Sequence, residues 1–241
     1  MTTPTVTLMR APAAPAGLPL PGAGHVLVVT ARPGQESADL GGLLYALRRG
    51  GASLGLLCLT RGEDSPLNAT CARLEAVRPW ELNLAAGVLG IGSVAVADYP
   101  GGQLDRQPMA ELTERVWRVI RQQPADLLLV IDPETGGPEE GAVAVATCAA
   151  ALRAGLPVVA STRPASDDAW EINLGPDAPM ARAIQKAAAA AHASQADALP
   201  GLVRRLDLRR GREHLRWLVA PWWAPQDGTE DGSTLAAAVR R

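Results

Sequence analysis

The stretch Val26-Leu27-Val28-Val29-Thr30-Ala31-Arg32-Pro33-Gly34-Gln35-Glu36 sets the architecture of this chain. Its first five residues are a continuous, β-branched apolar run, the pattern of a strand buried on both faces. The segment Ala31–Glu36 follows this run directly. Leu40, Leu43, Leu44 and Leu47 follow at helical spacing and stop at Gly50-Gly51, a C-terminal helix signal. The same strand–loop–helix unit recurs downstream. Strands are predicted at Leu54–Thr60, Val94–Tyr99, Asp126–Asp132 and Pro157–Thr162. Between them, helical spacing runs through Leu74, Val77, Leu82, Ala85, Ala86 and Leu89, then Leu112, Val116, Val119 and Ile120, then residues 141 to 154. Pro79 predicts a kink or a late start in the first of these helices. Strands alternating with helices of this length predict an α/β fold, three-layered and Rossmann-like, with a mainly parallel sheet and helices on both faces.

Beyond Thr162 the pattern loosens. Trp170–Leu174 reads as a further strand and Met180–Ala196 as an alanine-rich helix. Leu202–Leu208 and His214–Val219 read as a hairpin across Arg209–Arg212, with Leu206, Leu208, Leu215 and Leu218 inward and the arginines outward. In a doubly wound sheet, ligands bind beyond the carboxyl ends of the strands where strand order reverses. If the first and fourth strands flank that point, Ala31–Glu36 and Asp132–Glu140 face each other across one crevice.

The bulk numbers set bounds. A chain of 241 residues can bury roughly 70–75% of its unfolded surface in one sizeable domain. The reading is a single α/β domain over residues 25–224, a Pro/Ala-rich arm over 1–24 and a polar, then Ala-rich tail over 225–241. Prolines interrupt the first residues too often for a secretory signal core, and no apolar run is long enough to span a bilayer. A net charge of −2 gives no global attraction to nucleic acid or anionic membrane. The three cysteines, Cys58, Cys71 and Cys148, have no zinc or redox spacing. A reducing cytoplasm is therefore the expected location. The segment from Arg204 to Trp223 is rich in Arg and Trp. Such clusters can grip phosphate or single strands, but an amphipathic hairpin is the commoner cause, and nucleic acid is not expected. Trp222-Trp223 suits an oligomer contact.

Several further segments carry a resemblance. They are Cys58-Leu59-Thr60-Arg61-Gly62-Glu63, Arg78-Pro79-Trp80-Glu81-Leu82, Asp98-Tyr99-Pro100-Gly101-Gly102-Gln103-Leu104, Asp132-Pro133-Glu134-Thr135-Gly136, and Lys186 with His192-Ala193-Ser194-Gln195. Taken in order with the opening stretch, they resemble the PIG-L / LmbE-like zinc-dependent N-deacetylases, which remove acetyl from N-acetylglucosamine conjugates. The resemblance runs from about His25 to Trp217 and implies the LmbE-like deacetylase fold.

The departures fall on the chemistry. The family's Ala-His-Pro-Asp-Asp-Glu supplies two zinc ligands and the general base; here those positions are Arg32, Gln35 and Gly34. The family's Gly-His-Pro-Asp-His supplies the third ligand from its last residue. Here the segment is Gly136-Gly137-Pro138-Glu139-Glu140, with Glu140 at the ligand position and Gly137 where a transition-state-stabilising His is expected. Arg has no lone pair to offer, Gln is a weak neutral ligand, and one Glu cannot assemble a tetrahedral site. The family's zinc is therefore predicted absent, and no other cofactor is implied. Zinc lowers the pKa of bound water from about 15.7 to about 7, on the order of 12 kcal/mol of ionisation cost. General acid–base help contributes about 10²–10⁴-fold, roughly 3–5 kcal/mol. The family reaction is not expected. Arg32 and Glu140 are predicted to pair across the lost metal position.

Candidate ligand contacts are Arg32, Gln35, Glu36, Arg61, Glu63, Arg78, Asp132 and His192; candidate acids or bases are Asp132, Glu139 and Glu140. Each has a structural reading beside it. Glu36 suits capping of the helix that follows, and Asp132 suits turn stabilisation. His192 with Ser194 and Gln195 suits a hydrogen-bonding role. Arg61, Glu63 and Arg78 suit surface pairing or core support. Three function classes stay open: a pseudoenzyme binding a sugar conjugate, or an active relative as partner in a homo- or mixed oligomer; an enzyme using the crevice for metal-free chemistry; and a still-active N-deacetylase with a relocated metal.

Overall fold

Alternation along the first strand decides which side of the sheet each layer packs on. In the computed structural model β1 (His25–Thr30) sends Val26 and Val28 into one apolar cluster and Leu27 and Val29 into another. The structure describes residue 20 and residues 23–64, 73–163 and 168–221. Most of the N-terminal arm, the C-terminal tail, Cys71 and Trp222-Trp223 lie outside the described residues.

Two short helices follow β1: α1 (Gln35–Ala38) and α2 (Gly41–Arg49). The chain continues through β2 (Ser53–Thr60), α3 (Leu74–Leu89), β3 (Ser93–Tyr99), α4 (Met109–Gln122), β4 (Leu127–Ile131), α5 (Pro138–Ala154) and β5 (Val158–Thr162). It ends with β6 (Trp170–Asn173), α6 (Ala178–Ala190), α7 (Leu199–Arg209) and β7 (Arg212–Val219). The sheet order is β3-β2-β1-β4-β5-β7-β6. The strands β1 to β5 pair in parallel, whereas β7 runs antiparallel to both β5 and β6. Leu43, Leu44, Leu82, Ala85 and Ala188 cover one face from α2, α3 and α6; Leu112, Val116, Ala146 and Ala150 cover the other from α4 and α5. These are the expected three layers. Each fully buried leucine contributes roughly 1.5–3 kcal/mol.

The expected hairpin is not present. Leu202–Leu208 lies in α7, and His214–Val219 belongs to β7, inserted between β5 and β6. Leu202 and Leu206, four residues apart, are the buried pair, while Leu208 is 78% exposed. That is helical periodicity, which a short Leu/Arg segment can imitate as alternation. Of the arginines expected outward, Arg216 is buried. The helix read as Met180–Ala196 ends at Ala190, and a 3₁₀ turn (Ala193–Ala198) follows. In α3 the helix starts at Leu74, ahead of Pro79, so the late start does not occur. Finally, α5 starts at Pro138, where a proline in the first turn loses no helical hydrogen bond.

Candidate functional site

Strand order reverses between β1 and β4, so the loops after these strands part and leave a crevice at their carboxyl ends. The expected facing of Ala31–Glu36 and Asp132–Glu140 is observed. A cleft of about 360 Å³ opens there, lined by Arg32, Gln35, Asp39, Ile131, Thr135, Gly136, Gly137, Glu140, Ser161, Thr162, Arg163 and Arg209.

An ionic and hydrogen-bonded bridge crosses the floor of the cleft. The Arg32 guanidinium lies 3.0 Å from Glu140 and 3.2 Å from Glu139. The Arg32–Glu140 pair expected from the sequence is therefore present. Gln35 completes the bridge: its Nε2–H donates to Glu140 Oε1, and its Oε1 accepts from the N–H groups of Ala31 and Arg32 at 2.9 and 3.2 Å. The second Glu140 oxygen accepts from the Gly137 N–H at 2.7 Å, closing the first turn of α5. Glu139 accepts at 3.4 Å from the N–H of Leu104. Both carboxylates are buried and already partnered.

Gly34, where the resemblance places a general base, has φ +102°, a backbone region that side-chain-bearing residues rarely occupy. A Cβ there would meet the Gln195 amide at 3.0–3.1 Å, and Gln195 itself donates to the Pro33 carbonyl at 3.1 Å. The loop has adopted a course that suits glycine.

Beneath the loop lies a buried polar network. Glu36 is fully buried; it accepts from the Gly34 N–H at 2.9 Å and the Ser37 hydroxyl at 2.7 Å, and lies 2.7 Å from His192 Nε2. Arg78 is 1% exposed and donates to the Gly62 carbonyl and to Ser194 Oγ, the latter at 3.3 Å. Glu81 accepts from the Ser194 N–H and hydroxyl, both at 2.7 Å. Thus Glu36, Arg78 and His192 sit together with Glu81 and Ser194, below the cleft and not on its wall. Glu63 accepts from the Gly101 N–H at 2.8 Å. Neither it nor the exposed Arg61 lines the cleft.

Asp132 is drawn away from Arg32 by a residue from β7. Arg216 Nε and Nη2 donate to its two oxygens at 2.6 and 2.8 Å, and the Glu134 N–H donates at 2.8 Å. Burial works to raise its pKa, but the Arg216 bonds and the Glu134 amide outweigh it, so the carboxyl is held below the usual carboxylate range. Its backbone carbonyl also accepts from Thr135 and Gly136, which supports the turn reading. Asp39, on the cleft wall, shows the opposite balance: burial raises its pKa against the pull of Arg205 and Arg209. Burial pushes the Cys58 thiol up to about 12, which disfavours the thiolate.

Asp39, Arg163 and Arg209 were not among the sequence candidates for this site. Arg163 directly follows β5, so the rule that ligands sit beyond strand ends was a usable signal. Nothing in the sequence pointed to Asp39.

Zinc does not fit this donor set. Arg32 cannot ligate, the Gln35 oxygen faces its own loop, and the ring nitrogen of His192 facing Glu36 is engaged. The remaining carboxylates are each taken by an arginine, Glu139 and Glu140 by Arg32 and Asp39 by Arg205, which leaves fewer than the three protein ligands a catalytic zinc takes. Among the described residues no group of three or more His, Cys, Asp or Glu is placed to hold a metal. Nor, among them, is any helix long and apolar enough to cross a membrane.

Residues 27–151, more than half of the chain, match the family model described as PIG-L, GlcNAc-PI de-N-acetylase. The chain belongs to the PIG-L family. A curated relative, the probable N-acetyl-alpha-D-glucosaminyl L-malate deacetylase 2 of Bacillus anthracis, is 29% identical over 114 residues. That match spans 45% of this chain and only 50% of the relative. The conserved protein TT1542 of Thermus thermophilus shares the fold at TM-score 0.68 and 20% identity, over 85% of this chain and 99% of its own. GalB, the 4-carboxy-2-hydroxymuconate hydratase of Pseudomonas putida KT2440, shares it at TM-score 0.65 and 18% identity, over 86% and 98%. PIG-L-like architecture therefore carries more than one named chemistry.

Proposed function

We propose that this PIG-L family member binds a sugar conjugate in the β1/β4 cleft without hydrolysing it by the family's zinc mechanism. The observation carrying this reading is the bridge Arg32–Glu139/Glu140–Gln35, which fills the metal-ligand positions with groups that satisfy one another. The Bacillus anthracis relative is named for an N-acetylglucosaminyl conjugate, which supports a sugar conjugate as the ligand class. Within the bridge, Arg32 and Gln35 fix the β1 loop to the start of α5, the connection that a shared metal would otherwise make. The position of the general base is a glycine, so activation of water by that residue is lost with the ligands.

GalB and a deacetylase share the fold, so chemistry of another class is the competing reading, with Glu139 or Glu140 as acid or base. Both carboxylates are engaged by Arg32 and by main-chain N–H groups, and this favours the binding reading.

The test is elemental analysis of untagged protein, combined with an assay for acetate release from N-acetylglucosamine conjugates with and without chelator. No metal and no turnover are expected. Stoichiometric zinc with chelator-sensitive turnover would overturn the proposal; turnover indifferent to chelator would establish the competing reading.

A further inference from the structure

The charges around the cleft do not balance. Asp39 pairs with Arg205 at 3.2 Å, and Glu139 and Glu140 share Arg32. Glu213 is held between Arg182 at 2.5 Å and Arg209 at 3.3 Å. Arg163 lines the same cleft and has no acidic partner among the described residues. Of the residues that line the cleft, three are arginines (Arg32, Arg163 and Arg209) and two are carboxylates (Asp39 and Glu140), in a protein whose net charge is −2. The surplus positive charge falls on the cleft wall, on the exposed Arg163 guanidinium. Two neutral donors accompany it: the hydroxyls of Thr135 and Ser161 line the cleft and make no hydrogen bond among the described residues. At about 360 Å³ the cleft lies within the usual range for small-molecule sites.

We propose that the cleft recognises an anionic group, a phosphate or a carboxylate, through Arg163, with Arg209 and the Thr135 and Ser161 hydroxyls completing its shell. A planar guanidinium takes such a group through two parallel N–H···O bonds. Arg32 is already answered by Glu139 and Glu140, so it adds walls and field more than an open fork. The two lining acids are both answered, Asp39 by Arg205 and Glu140 by Arg32. This inference deepens the binding reading above and rests on it.

Isothermal titration of the full chain with inorganic phosphate, succinate and uncharged N-acetylglucosamine, at low and high salt, tests it. Phosphate or succinate is expected to bind one site, and the stronger of the two identifies the anion class. Arg163→Ala weakens that binding about tenfold or more, Arg163→Lys weakens it less, and raised salt weakens it in the wild type. Arg163 is exposed, so the melting temperature should be the same in all three proteins. Absence of binding by either anion, or an unchanged affinity in Arg163→Ala, overturns the inference. Binding of N-acetylglucosamine with no response to either anion also overturns it, while leaving the non-hydrolytic reading in place. Acetate release from a conjugate would overturn that reading, and the Arg163 result would still decide the anion.

Discussion

Removing the two ends of the cleft bridge should have unequal effects. Arg32 is 46% exposed, and its pairing is screened by solvent. Deleting it leaves Glu140 with the Gln35 amide and the Gly137 N–H, and Glu139 with the Leu104 N–H. Arg32→Ala should therefore cost only about 0.5–1 kcal/mol, in the range of exposed pairs. Glu140 is 5% exposed and answers three donors. Glu140→Ala strands the buried Gln35 amide and the first-turn N–H of Gly137, at about 1–3 kcal/mol for each buried donor left unmet. A loss of about 3–4 kcal/mol follows. The coupling between the two sites, from the double mutant, should be only about 0.5–1 kcal/mol. Urea unfolding at constant m measures all three. One molar salt should remove most of the Arg32→Ala effect and little of the Glu140→Ala effect. Swapping the charges, Arg32→Glu with Glu140→Arg, should recover no more than that coupling, since arginine cannot accept the Gly137 N–H. Equal losses in the two single mutants, or a Glu140→Ala cost below about 0.5 kcal/mol, would refute the view that the bridge is anchored by its carboxylate.

Gly34→Ala should destabilise by about 1 kcal/mol or more in the same unfolding assay, because φ is +102° there; a neutral result would mean the loop relaxes freely. Asp132→Asn should cost about 1–3 kcal/mol at neutral pH: Arg216 loses its fully buried, two-point carboxylate partner, while Glu134 at 3.1 Å and Asp168 at 3.7 Å still face it. Because the folded Asp132 pKa is depressed, its contribution is complete above the unfolded value near pH ~3.9 and is lost as pH falls through the folded value. The wild-type acid limb below about pH 4 should therefore be steeper than that of the variant, and superimposable limbs would count against the pair. Restoring the three ligand positions (Arg32→His, Gln35→Asp, Glu140→His) should give near-stoichiometric zinc by elemental analysis, where the wild type gives none. Failure to gain zinc would show that the loop backbone has diverged as well as the side chains.

Much of this organisation follows from local pattern. The apolar run Val26–Thr30, the leucines of α2 and the recurring strand–helix units specify a parallel sheet, because periods of two and 3.6 residues decide which side chains can be buried. The lack of a metal ligand at Arg32 and of a general base at Gly34 is equally a sequence property, since a guanidinium offers a metal no lone pair and a glycine has no side chain to offer a proton acceptor. The C-terminal quarter departs from its expected hairpin because Leu202 and Leu206 satisfy both periods over so short a segment, and only packing against the neighbouring elements selects the helix. Side-chain partners were the least legible part. Asp132 stood as an acid over the crevice until Arg216, 84 residues away, claimed it through the insertion of β7 beside β5. Glu36 and His192, 156 residues apart, likewise became a buried pair. The position of Arg163 on the cleft wall, with no acid to answer it among the described residues, was decided the same way. Residue type fixed what each group could do, but charge interactions act through space, so the folded arrangement alone settled which charges cancel and which is left over.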